Sequence, residues 1–258
     1  MNSKPAKKPG NTARDLMIEY LKNCQIHNSA QNDTFVQKLN VCVQDSRNIL
    51  SAIYFCHHTK DNPPQPLTKP TRISYDNYYP SYKPIRFTPL IEALNYTKYP
   101  HVERIIVYSI NMTGGDLVHL SDLILGDYTF ITKVELFDCF ITSSSILNAC
   151  NAFNYLYEIV LDHNEIEDDG CISLCNCMSE SRYIVRLSLN YCKISSCSAI
   201  HLAQLVNRTP LRFLELEGNE FNHEGVSRLF ENMNMEYESW ADGTKVKKGN
   251  YPFKDIDG

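Results

Sequence analysis

The chain has 258 residues, 43% of them hydrophobic and 21% charged, with a formal net charge of −5. That length allows one sizeable core or two small domains, and the composition is ordinary for a globular protein. The acidic balance argues against nucleic acid as a main partner, because phosphate binding draws on a basic footprint, and no apolar run approaches the ~20 residues of a membrane span.

Residues 1–11 are polar and basic, with Pro and Gly, and read as a disordered tail. They contain no apolar stretch of the kind a secretory signal needs, so a cytoplasmic chain is expected. Its ten cysteines are then free thiols. The N-x-[ST] sequons at Asn32, Asn95, Asn111 and Asn207 become chance matches.

Residues 12–58 read as a helical N-terminal cap. Thr12 suits an N-cap, and Leu16, Met17, Tyr20, Leu21 and Cys24 share one helical face over 12–25. A second helical stretch starts at Asp33–Thr34 within 33–57, with Phe35, Val36, Leu39 and Val43 apolar. Leu39-Asn40-Val41 fits the strand of a degenerate first repeat as well. Cys56-His57-His58 reads as a partly exposed helix end, since adjacent helical residues diverge.

Residues 59–100 form a connector and a degenerate repeat. The prolines from Pro63-Pro64 to Pro84 exclude a helix over 59–84, where Tyr75, Tyr78, Tyr79 and Tyr82 collect. The connector is either an ordered loop clamped on the domain or an exposed recognition arm. Ile73 and Tyr75 suit a strand, and Phe87 to Leu94 a helix with Pro89 in its first turn.

Residues 101–235 carry a period. Leu211, Leu214, Leu216, Asn219, Phe221, Gly225 and Leu229 follow the spacing L-x-x-L-x-L-x-x-N-x-L-x-x-x-G-x-x-x-L. The same places are filled by Ile184, Leu187, Leu189, Cys192, Ile194, Ser198 and Leu202, and before them by Leu156, Ile159, Leu161, Asn164, Ile166, Gly170 and Leu174. Two earlier units begin at Ile131 and Val102, which makes five units spaced by 25–29 residues. The L-x-L pair points one way from a short strand into the core. The Asn or Cys place suits a ladder residue bonded to neighbouring turns. The Gly place is expected to relax the backbone at the helix entry. Stacked units then share a continuous core.

Residues 236–258 read as a C-terminal cap and tail. Trp240, the single tryptophan, is expected to close the end of the core. Lysines at 245, 247, 248 and 254 mirror the basic N-terminus. Both ends read as solubilising tails or as docking segments for an acidic surface.

Over roughly residues 100–235 the repeats resemble the ribonuclease-inhibitor-like leucine-rich repeats, with Ser145 and Ser198 standing for Gly and one unit short by about a turn. The resemblance implies an α/β solenoid: a curved parallel sheet on the concave face, helices on the convex face, and an α-helical N-terminal cap. Tyr20-Leu21-x-x-Cys24, Leu39, Ile85-Arg86, Leu90 and Ala93-Leu94 are similar to the N-terminal caps of leucine-rich-repeat proteins of centrosomes and cilia. That second resemblance implies a cytoskeletal or ciliary setting.

Nothing in the sequence nominates catalysis. Cys171, Cys175, Cys177, Cys192 and Cys197 contain no C-x-x-C pair, so no zinc or other cofactor is expected. Asp162-His163-Asn164-Glu165 opens like a calcium loop, but Glu167 stands where Gly is needed. Gly114-Gly115 lacks the Lys and Ser/Thr of a phosphate loop. The chain is therefore expected not to be an enzyme.

The register instead predicts a protein-binding surface on the concave face. Its candidates are Arg104, Tyr108, Lys133, Glu135, Phe137, Asp138, Asp162, Arg186, Tyr191, Phe213, Glu215 and Glu217. Exposed aromatics on a rigid sheet suit interface hot spots, and an acidic excess suits a partner with a basic patch. Arg104, Lys133 and Arg186 are expected as a basic column beside the acidic group. The expected function is a non-catalytic interaction or scaffold module, a subunit of a larger cytoskeletal or ciliary assembly with protein partners. The alternative is an enzyme regulator, an inhibitor or GTPase activator; it ranks second because the long acidic tail of the Ran GTPase activators is missing. A ubiquitin-ligase adaptor ranks third, since residues 12–57 show no convincing F-box.

Overall fold

A computed structural model describes residues 10–45, 48–56, 83–126, 130–233, 236–239 and 245–248. Helices α1 (Ala13–Ile26) and α2 (Asp33–Gln44) come first. Thr12 and Asp15 close a capping box at α1, each bonding a backbone N–H that the first turn leaves open. Asn32 caps α2 through the Phe35 N–H.

Strands and helices then alternate: β1 (Ala52–Cys56), α3 (Thr88–Thr97), β2 (Arg104–Tyr108), α4 (Gly114–Leu125), β3 (Lys133–Phe137), α5 (Ser143–Ile146), α6 (Cys150–Phe153), β4 (Glu158–Val160), α7 (Glu167–Met178), β5 (Arg186–Ser188), α8 (Ala199–Arg208), β6 (Phe213–Glu215) and α9 (His223–Asn232). The six strands form one parallel sheet in chain order. Their register aligns Ile53, Ile105, Val134, Ile159, Leu187 and Leu214 in a single row. This row and its neighbour two residues on are the L-x-L positions, and they bury against the helices. The short unit that carries β3 has its helix split into α5 and α6.

Three readings of the N-terminal part need correction. Residues 39–41 are helical, because α2 continues to Gln44. The first strand is β1, and Cys56 ends that strand and not a helix. Its core is Leu50, Ile53 and Phe55, all buried, on the repeat's own spacing. Residues 12–58 are therefore not helical throughout. Ile73, Tyr75 and most of the Pro- and Tyr-rich connector lie outside the described residues, as do residues 1–9. Pro89 does sit in the first turn of α3.

Four rings weld the two leading helices to β1. Tyr20 meets Phe35 edge to face at 5.0 Å, Phe35 meets Phe55 at 6.0 Å, and Phe55 meets Phe87 at 6.3 Å. The buried Tyr20 hydroxyl accepts from the Asn32 N–H at 2.9 Å, and Asn32 Nδ2 donates to the Cys56 carbonyl at 2.9 Å. Burial pushes the Tyr20 phenol well above its ordinary range.

The ladder positions bond across coils. Asn164 Nδ2 donates to the carbonyls of Leu136 and Leu161, while its Oδ1 accepts from the N–H groups of Cys139 and Ile141. Asn219 repeats the pattern toward Leu189, Leu216, Cys192 and Ile194. Between them the Cys192 thiol donates to the Leu161 carbonyl at 3.2 Å. The Gly place has a different cause from the one expected. A Cβ on Gly170 would stand 3.0 Å from the Ser143 Cα, and one on Gly225 would stand 2.9 Å from the Ser196 Cα. Neither glycine has a positive φ. Glycine here lets a helix start press against the preceding coil.

The last coil is less enclosed: Leu214, Leu216 and Phe221 are only partly buried among the described residues. After it, β7 (Glu236–Ser239) and β8 (Lys245–Lys248) pair antiparallel within the stretch read as a C-terminal cap and tail. Trp240 lies outside the described residues.

Candidate protein-binding face

The side chains between the core leucines point away from the helices and build an open face. Strand pairing sets Ala52, Arg104, Lys133, Glu158, Arg186 and Phe213 in one row. Tyr54, Ile106, Glu135, Val160, Ser188 and Glu215 form the next. Tyr108 and Phe137 continue a third row, on which the repeat register places Asp162, Asn190 and Glu217. A fourth holds Ser109, Asp138, His163, Tyr191 and Gly218, all at positive φ between 51° and 68°. A left-handed residue follows every one of these five strands, directly or three residues past its end. Of these, Ser109, Asp138 and His163 are only partly buried and Tyr191 is exposed, and all four keep their side chains out of the core.

The basic column does not survive as free charge. Glu158 interrupts it. Lys133 Nζ lies 2.8 Å from Glu135 and 2.9 Å from Glu158. Arg186 reaches Glu158 at 3.9 Å and grips Glu215 with two bonds, Nε to Oε1 at 3.2 Å and Nη2 to Oε2 at 3.0 Å. The Arg186 pairing holds the Glu215 carboxyl below its usual range. Glu158, Arg186 and Glu215 are a third or more exposed, so their pairs contribute ~0–1 kcal/mol and mainly fix geometry, while Lys133 and Glu135 are more enclosed. Arg104, by contrast, forms no ion pair among the described residues. Ile106 and Val160 face this side yet are 4% and 8% exposed. The charged side chains therefore roof a thin apolar layer, their stems packing where their heads stay wet.

Four rings run side by side along the C-terminal strand ends. Tyr108 and Phe137 are 5.6 Å apart, Phe137 and His163 4.6 Å, and His163 and Tyr191 4.6 Å with nearly parallel planes. Tyr191 continues over Gly218, where an added Cβ would stand 2.2 Å from its ring. Phe213, grouped with the aromatics in the sequence, is half-exposed in the first row next to Arg186 and is not in this run.

Carboxylates border the rings. Tyr108 Oη donates to Glu135 at 3.1 Å, and burial first, then Glu135, pushes its phenol up to about 12. Asp138 accepts from Ser109 Oγ at 3.1 Å, and burial raises its pKa. Asp162 accepts from Ser188 Oγ at 2.6 Å and from the Asn190 N–H at 2.9 Å. Glu217 accepts from Tyr191 Oη at 2.9 Å.

Because β1 joins the sheet, the face is one strand wider than the five-unit register implied. Tyr54 lies on it, with Lys38 of α2 4.1 Å from the ring centroid. The signal that finds this strand is Leu50-x-x-Ile53-x-Phe55 itself, which the following insertion separates from the regular period.

Residues 154–175 match the family model described as Leucine Rich repeat. That unit of the period is a leucine-rich repeat. The matched stretch spans the unit Leu156 to Leu174, including the ladder residue Asn164. The chain is also similar to RAN GTPase-activating protein 2 of Arabidopsis thaliana, with 28% identity over 99 residues. That covers 36% of this chain and 18% of the relative, so the chain spans less than a fifth of that protein's length.

Proposed function

We propose that the chain is a non-catalytic protein-binding module of the ribonuclease-inhibitor-like repeat type. In this reading α1 and α2 are its N-terminal cap and the open sheet face is concave and binds. The observation that carries the reading is the run Tyr108–Phe137–His163–Tyr191. It offers aromatic surface, already ordered by stacking, on a sheet whose charged groups hold one another in place. Rings that have lost their rotamer freedom before binding cost little to dock. The reading calls for no cofactor and places the chain in the cytoplasm. The resemblance carried by Tyr20-Leu21-x-x-Cys24 and the residues that follow it makes a cytoskeletal or ciliary complex the favoured setting.

Changing Tyr108, Phe137 and Tyr191 together to Ala tests this. Cross-linking mass spectrometry in native extract identifies the partner and places its contacts. The triple variant should then bind that partner at least ~10-fold more weakly, as loss of a hot-spot cluster does. Unchanged affinity, or cross-links confined to the helical side, overturns the reading.

The similarity to RAN GTPase-activating protein 2 supports a second reading, that the chain regulates an enzyme of the GTPase class. Adding the chain to purified Ran GTPase should then raise its single-turnover GTP hydrolysis; an unchanged rate at saturating chain counts against it.

A further inference from the structure

Charge is divided along the strands of the open face. The cations Arg104, Lys133 and Arg186 all stand at the N-terminal strand ends, the last two bracketed by carboxylates. At the C-terminal ends, Asp138, Asp162 and Glu217 lie among Phe137, His163 and Tyr191, and no Lys or Arg occupies those two rows among the described residues. Their hydrogen bonds come from neutral donors: Ser109, Ser188, Asn190 and Tyr191. Such bonds fix the carboxylates in place without cancelling their charge. One turn further on, Lys193 is held by Glu165 at 2.6 Å.

We infer that this strip seats an arginine-bearing segment of a protein partner, with guanidinium groups paired with Asp138, Asp162 and Glu217 alongside the outward edges of the Phe137, His163 and Tyr191 rings, whose faces are taken up by one another and by Gly218. The inference rests on the reading of the open face as a protein-binding surface and names the chemistry that face selects. Guanidinium suits the strip better than ammonium, because it is planar and its fork of N–H groups donates to two carboxylates at once. The dimensions agree. Four strand steps of ~4.8 Å separate Tyr108 from Glu217, about 19 Å, which six residues of extended chain cover. A nucleic acid would meet the same carboxylates as repulsion.

The probes are three fluorescein-labelled peptides of alternating Gly and Arg, Gly and Lys, or Gly and citrulline, titrated against the full chain by fluorescence anisotropy at low salt. Citrulline keeps the shape of arginine and removes its charge. The arginine peptide should bind several-fold tighter than the lysine peptide, about fivefold or more, and citrulline should not bind measurably. E217Q and D138N should each weaken arginine-peptide binding about fivefold, while R104A at the opposite strand end should leave it unchanged. Glu217 is exposed, so E217Q keeps the test valid if D138N fails to fold. Equal binding of arginine and citrulline peptides, no binding of either, or E217Q binding as the unaltered chain does overturns the inference. If the peptides fail while partner cross-links still fall on the open face, the inference falls and the protein-binding reading stands. If the arginine peptide binds at the strip while partner cross-links fall elsewhere, the assignment of the partner to the strip is overturned.

Discussion

Asn164 joins the backbone of two coils, its own and the preceding one, and its removal should be costly. It is 2% exposed, and its Oδ1 accepts from the Cys139 N–H at 3.0 Å and the Ile141 N–H at 3.1 Å. Its Nδ2 donates to the Leu136 carbonyl at 2.7 Å and the Leu161 carbonyl at 2.8 Å. Alanine leaves both N–H groups without this partner in a region where Cys139 and Ile141 are fully buried. At ~1–3 kcal/mol for each unsatisfied buried group, and allowing for a water in the vacated space, N164A should cost about 3–5 kcal/mol. That is a large part of the ~5–15 kcal/mol a folded domain has. N164D should be no milder, because it keeps the acceptor, loses the donor and sets a charge beside carbonyls. N164C should cost ~1–2 kcal/mol less than N164A, since a thiol already fills the equivalent place at Cys192 and donates to the Leu161 carbonyl. Equilibrium urea unfolding followed by far-UV circular dichroism measures all three. A cost below ~1 kcal/mol for N164A at unchanged m, or N164C as damaging as N164A, would refute the ladder argument.

Other consequences are as direct. G170A should destabilise by ~1–3 kcal/mol in a thermal melt, because its Cβ meets the Ser143 backbone and not a yielding side-chain end; a neutral result would show that the coils slide apart freely. Asp168 is partly buried, which opposes ionisation, but bonds from Ser195 and Ser198 outweigh burial and hold its carboxyl below the usual range. A depressed folded pKa contributes stability above the unfolded value of ~3.9 and loses it as pH falls through the lower folded value. D168N should therefore be less stable than the natural chain near neutral pH, and urea midpoints should converge between about pH 4 and pH 2; a constant gap would contradict this. Burial pushes the Cys150 and Cys192 thiols up to about 12 and Cys139 higher still, whereas Cys197 is exposed. Iodoacetamide with peptide mapping should label Cys197 first and those three only on unfolding; early labelling of Cys192 would show that the ladder opens.

The split between what was readable and what was not follows interaction range. Helix starts at Thr12 and in α3 were legible, because capping and a first-turn proline act within three residues. The strand at 52–56 was missed although Leu50-x-x-Ile53-x-Phe55 carries it, because one unit spaced far from the next offers no period to register against. Glycines 170 and 225 were located correctly for the wrong reason: the atoms they avoid belong to the preceding coil.

The same holds for the binding face. By itself the sequence determined the repeat, the core row, the ladder residues and which side chains point outward, since all of these follow from alternation along a strand at a constant spacing. Only the tertiary structure decided what those outward residues do to each other. Stacking coils about 4.8 Å apart brings Lys133 between two glutamates, Arg186 onto Glu215, and His163 between Phe137 and Tyr191. Apart from Glu135, which stands on Lys133's own strand, those partners lie 25 to 29 residues apart in the chain. Their side-chain rotamers decide whether a charge is spent internally or left for a partner, and no spacing rule encodes them.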